Sequence, residues 1–155
     1  MSQQNKDLVT RAEDAWNEGN LDEAFDYFAD DYTENTPFPG LPPTKEGLKF
    51  LLTSFRKAFP DGHVTIDLMI AEGDLVSYYS TARGTHTGEF MGTAPTGRSV
   101  EVGALHIHRI RDGKIVEHWG HNDQAGMMRQ LGIAPGQLGG APGAPGPRMA
   151  TAPSS

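Results

Sequence analysis

The hydrophobic period of this chain changes once, at Pro60-Asp61-Gly62, and that change constrains the fold more than any other feature. Before it, apolar residues recur at helical spacing. Leu8, Ala12, Ala15 and Trp16 share one face of a helix over residues 5–17. Asn20 and Glu23 form a capping-box pair ahead of Leu21, Ala24, Phe25 and Phe28. The prolines of residues 32–43 (YTENTPFPGLPP) block both helix and ladder, so a loop is expected there. Thr44 can cap a third helix whose inner face holds Leu48, Leu51, Leu52, Phe55 and Phe59. After the break the apolar residues alternate, with Val64, Ile66, Leu68 and Ile70 on one side of a strand. Residues 75–86, 98–110 and 114–123 give three more strands, and Asp112-Gly113 is a type I′ hairpin signal. Helices followed by strands imply an α+β fold with an antiparallel sheet. Gly84 and Gly103 inside long strands imply bends. A bent sheet with helices on its concave side makes a cone enclosing a cavity.

Composition removes several classes of function. The net charge is −7, which disfavours binding to nucleic acid or an anionic membrane. There is no cysteine, so disulfides and thiolate metal sites are excluded. The first twenty residues lack the apolar run of a signal peptide, and no window approaches a membrane span. A cytoplasmic protein is expected. Ten of the 22 residues from 134 to 155 are Gly or Pro, so a disordered tail is expected after a domain over 1–133.

The last hairpin carries the polar chemistry. A two-residue turn at Asp112-Gly113 with no bulge pairs His108 with Glu117, His106 with Trp119, Ala104 with His121 and Val102 with Asp123. Opposed residues share a sheet face. His106, His108, Glu117, Trp119, His121 and Asp123 then lie together. Three readings of that face stay open. It can be half-solvated. It can bind a metal through His106, His108 and Glu117, although that set lacks a further close ligand. It can also wall an organic active site, with Asp123 raised in pKa beside Trp119 and His106 or His121 holding a proton or stabilising an oxyanion.

The ordered set GTHTGEF (84–90), PTGR (95–98), DGKIVEHW (112–119), Asp123 and RQLG (129–132) resembles the SnoaL-like polyketide cyclase, or ester cyclase-like, family. The likeness spans residues 5–133. It implies an NTF2-like cone of three helices over a curved antiparallel sheet, assembled as a homodimer or homotetramer. It implies intramolecular aldol ring closure of a polyketide-like small molecule without metal or cofactor. Asp123 matches the family's general acid/base. Asn35 and Phe38 lie where the family's helix-connecting loop approaches the pocket. His86 lies at a strand end that can face the cavity, and Met91 sits in the long loop as lid or packing. Trp119 and His108 are candidate substrate contacts from the pairing of the last hairpin. Noncatalytic ligand binding, isomerisation and epoxide hydrolysis remain alternatives on this scaffold.

Overall fold

A computed structural model describes residues 2–134. The expected tail therefore lies, beyond Ala134, outside the described residues. The chain runs α1 (Ser2–Asn17), α2 (Leu21–Asp26), β1 (Phe28–Glu34), α3 (Lys45–Ala58), β2 (His63–Glu72), β3 (Leu75–Thr85), β4 (Ser99–Arg111), β5 (Lys114–Asn122) and α4 (Gln124–Leu131). The five strands form one sheet in the order β1-β5-β4-β3-β2. The period change at Pro60 is where α3 gives way to β2, as the sequence implies.

The amphipathic faces explain the layering. Leu8, Val9, Ala12 and Ala15 of α1 are buried, and Leu8, Val9 and Ala12 pack with Tyr78, Ile110 and Ile115 of the sheet. Thr44 caps α3 by accepting from Gly47 N–H. Leu48, Leu51, Leu52 and Phe55 on its inner face are only partly buried, because they look into a cavity rather than a closed core. The Asp112-Gly113 turn has φ of 52° and 73°, the positive pair a type I′ turn requires. Gly103 lets the Tyr79 hydroxyl lie across β4, where a Cβ would sit 2.0 Å from it.

Four features differ from the sequence reading. Asn20 precedes α2 without a side-chain cap; its amide bonds Glu18 instead. Residues 28–34 leave the helical period and form β1, which pairs parallel to β5, so the sheet is antiparallel except at this edge. A short helix, α4, follows β5. In β2 an irregularity between Ile66 and Leu68 turns the strand over, so Val64 and Ile66 face inward while Leu68 and Ile70 emerge on the convex side.

A fifth difference governs the site. Between Arg109 and Ile110 the β4–β5 ladder shifts by one residue, with Ile110 opposite Ile115 but Arg109 opposite Glu117. Val116 is the extra residue of this bulge. Beyond it His108 pairs with His118, His106 with Gly120, and Leu105 with His121. A one-residue slip turns every following side chain of β5 to the other face. The face predicted to hold Glu117, Trp119, His121 and Asp123 beside His106 and His108 is therefore corrected: His118, Gly120 and Asn122 take those places.

Candidate active site

The concave face of the sheet and the helices across it enclose two adjoining cavities of about 250 Å³ and 510 Å³. Both are walled by Glu13 of α1, Tyr78 of β3 and His106 and His108 of β4. The smaller is mainly apolar, lined by Val9, Trp16, Phe59 and Val102 among others. The larger reaches Glu34, Thr36, His118 and Asn122.

Three strands supply one hydrogen-bonded chain. Glu34 on β1 pairs in register with His118 on β5. The Glu34 carboxylate lies 2.8 and 3.0 Å from His118 Nδ1. His118 Nε2 lies 2.8 Å from His106 Nδ1 on β4. Tyr32 Oη–H donates to the same carboxylate at 2.7 Å, and Thr36 donates through its N–H and its hydroxyl. Burial alone would raise the Glu34 pKa. The bond and charge of His118, then Tyr32 and Thr36, outweigh burial and hold it at about 2. Glu34 is thus an acceptor only, and His118 Nδ1–H must donate to it. For His106 to act as a base His118 must be neutral, so that its Nε2 accepts from His106 Nδ1–H. The lone pair of His106 is then on Nε2, which makes no hydrogen bond among the described residues, on a side chain lining both cavities.

Burial, then the nearby His118, lowers the His106 pKa to about 3, against the opposing pull of Glu34. The ring is neutral at physiological pH, the form a base must have. Gly120 makes this contact possible. A Cβ there would lie 2.6 Å from His118 Cε1 and 3.0 Å from His106 Nδ1, so no side chain fits while the two imidazoles meet.

A second polar chain runs alongside. Tyr78 Oη–H donates to Glu13 Oε1 at 2.7 Å and lies 3.2 Å from His108 Nε2. Tyr78 also stacks on His106 with ring centres 4.8 Å apart. His108 is buried, with its Nδ1 unpartnered, and burial holds its pKa well below the usual imidazole value.

The residues singled out in the sequence divide. His106, His108 and Phe38 line the larger cavity, whereas His121, opposite exposed Leu105 on the convex side of the ladder, reaches only its rim. Trp119 lies on the convex face, with the Arg109 guanidinium 5.8 Å from its ring centre. Glu117 is on that face too, bonded to Arg109 and Asn35, so the His106, His108 and Glu117 set is split between faces. Asn35 is exposed there. His86 is fully buried outside the cavities, stacked on Phe59 and bonded to Thr96. Met91 packs in the cluster around Phe90. Asp123 follows β5, is exposed, and caps α4 by accepting from Gly126 N–H at 2.9 Å. Neither cavity is lined by Asp123.

Glu13, Glu34, Tyr78 and His118 were not read as site residues. Tyr32, Glu34 and Thr36 do alternate at period two, the one local sign that β1 is a strand with a polar inner face. No local sign marks Val116 as a bulge.

A curved α+β sheet with helices across its concave side is the NTF2-like architecture. The sequence profile of the SnoaL-like polyketide cyclase family matches residues 6–131, and the chain belongs to that family. It is 31% identical over 120 residues to nogalonic acid methyl ester cyclase of Streptomyces nogalater, covering 76% of this chain and 90% of that one. It is 32% identical over 130 residues to the aklanonic acid methyl ester cyclase AcmA of Streptomyces galilaeus, covering 80% and 88%. Among solved structures, IdmH of Streptomyces antibioticus, assigned as a polyketide cyclase, superposes with a TM-score of 0.73 at 36% identity, covering 84% of this chain and 99% of that one. AclR of Streptomyces galilaeus, assigned as a hydroxylase, gives 0.78 at 30%, covering 85% and 98%. Among the described residues no helix is long and apolar enough to cross a membrane.

Proposed function

We propose that this chain closes a ring in a multi-carbonyl, polyketide-type small molecule by an intramolecular aldol reaction, and that His106 is the base. The supporting observation is the Glu34–His118–His106 chain ending in a cavity wall. A lone group at about 3 accepts protons poorly at neutral pH. The relay changes the outcome. As His106 Nε2 takes a proton from the carbon between two carbonyls, its Nδ1–H passes to His118 Nε2. The positive charge then rests on His118 against Glu34, as in a carboxylate–imidazole pair of a catalytic triad. The enolate carbon attacks a second carbonyl held in the same cavity, where proximity supplies much of the rate. The reaction is an isomerisation with no net electron transfer, so it calls for no redox cofactor. In this reading Asp123 holds the junction of β5 and α4, and the apolar cavity takes the hydrophobic part of the substrate.

The test is to incubate the purified protein with nogalonic acid methyl ester and with aklanonic acid methyl ester. A cyclised product of unchanged mass is expected. The similarity to AclR supports a second reading, hydroxylation, and a product heavier by one oxygen atom would establish it instead.

We further propose that the enzyme acts in the cytoplasm as a homodimer or homotetramer. Leu68, Ile70, Tyr79 and Leu105 are exposed on the convex face, an apolar row that a second copy would cover. Sedimentation should show an oligomer, and Leu105→Asp should shift it toward monomer. A monomeric wild-type protein refutes the assembly.

A further inference from the structure

The cyclase reading supplies a base but no proton for the oxygen that becomes an alkoxide when the new bond forms. Glu13 is placed to supply it. It projects from α1 into the wall shared by both cavities, together with His106. Its Oε1 accepts from Tyr78 Oη–H, and that phenol ring stacks on His106, so the acid and the base are held against one rigid side chain. Its Oε2 makes no hydrogen bond among the described residues. Burial in such a setting, away from any lysine or arginine partner, shifts a carboxyl group toward its neutral form relative to water.

On the cyclase reading, we propose that Glu13 is a second catalytic residue, donating its Oε2 proton to the carbonyl oxygen under attack while His106 removes the carbon-bound proton. The bonds balance. The C–H pair becomes the enolate, and its carbon forms the new C–C bond. The π pair of the attacked carbonyl moves to oxygen and takes the proton of Glu13. The Glu13 carboxylate regains a proton, and His118 loses one, through solvent after product leaves.

The groups facing Glu13 are Tyr78 on β3, His106 and His108 on β4, His118 on β5 and Asp14 on its own helix. Burial raises the Glu13 pKa above the usual carboxylate value, while the Tyr78 bond and the His118 charge oppose it. Activity that needs protonated Glu13 is present below its pKa and lost as pH rises through it.

Two variants and one spectrum test the proposal. Infrared difference spectra of wild type against Glu13→Gln at neutral pH should show the carbonyl band of a neutral carboxylic acid. Glu13→Gln should lower kcat about 100-fold and lose the high-pH limb of the rate profile. Tyr78→Phe should move that limb to higher pH, because it removes a bond that favours the carboxylate; a purely structural Glu13 would show no such movement. An ionised Glu13 at neutral pH overturns the proposal, as does wild-type turnover by Glu13→Gln. Should neither ester be turned over, the cyclase reading fails by itself. The response of the Glu13 band to bound alizarin, a planar aromatic dione, then decides whether Glu13 is a donor: a shift supports it and an unmoved band overturns it.

Discussion

Replacing His106 with Gln is expected to lower kcat about 10²–10³-fold, the range for losing a positioned base, with a smaller effect on KM. Gln approximates the volume of the imidazole and keeps a donor toward His118, so the folded state should survive. It has no basic nitrogen, so the relay ends at His118. Asp123→Asn is the informative partner. Asn caps a helix about as well as Asp, so α4 should remain in place and turnover should fall only a few-fold. Steady-state kinetics on both variants, with circular dichroism to confirm folding, separates the assignments. The reverse pattern, an inert Asp123→Asn and an active His106→Gln, would return the base to Asp123. His121 reaches only the rim of the larger cavity and contacts neither Glu34 nor His106 through a hydrogen bond among the described residues, so His121→Ala should act on KM before kcat.

The outline of the fold was legible because it rests on local chemistry. The helical face of α1, the Thr44 cap, the stop at Pro60 and the Asp112-Gly113 turn each depend on a few neighbouring residues, and each is where the sequence put it. The family resemblance was legible for the same reason, as an ordered string of short motifs. The site was legible in its residue types but not in its geometry. His106 and His108 were placed together correctly, since both belong to one strand with intact alternation. Their partners were not, because one unpaired residue at Val116 exchanges Glu117, Trp119 and His121 for His118 and Gly120. A bulge of that kind is set by what the sheet must bury on each face, which is a property of the assembled cone. Glu34 was hidden more deeply. Its strand pairs parallel to a segment more than eighty residues away, and the prolines that follow argue for loop. Pairing at that separation leaves no trace in nearby sequence.

Acidification should unfold the protein through two overlapping windows, and the same polar chain that would carry catalysis is the cause. His106 and His108 have folded pKa values below the ordinary imidazole value of 6.5, chiefly through burial. The unfolded chain therefore takes up protons first as pH falls below about 6.5, and stability declines from there toward the folded value of about 3 for His106. Glu34 works in a lower window. Its folded pKa is about 2 against an ordinary 4.5, so its contribution is complete above the ordinary value and lost as pH falls toward the folded one. That difference corresponds to about 3 kcal/mol at neutral pH. Glu34→Gln should remove most of it, because an amide presents a donor to Tyr32, Thr36 or His118, all of which already donate. The expected cost is a Tm lower by roughly 10 °C at neutral pH. Melting curves from pH 7 to pH 2 would show it. The variant should keep the decline that begins near the imidazole value and lose the steeper fall below the carboxylate value, so its curve converges on wild type in acid. His106→Gln should do the opposite, weakening the upper window and sparing the lower one. A Glu34→Gln curve that stays parallel to wild type throughout would mean that Glu34 is not held as a carboxylate against His118, and the relay would lose the charge that drives it.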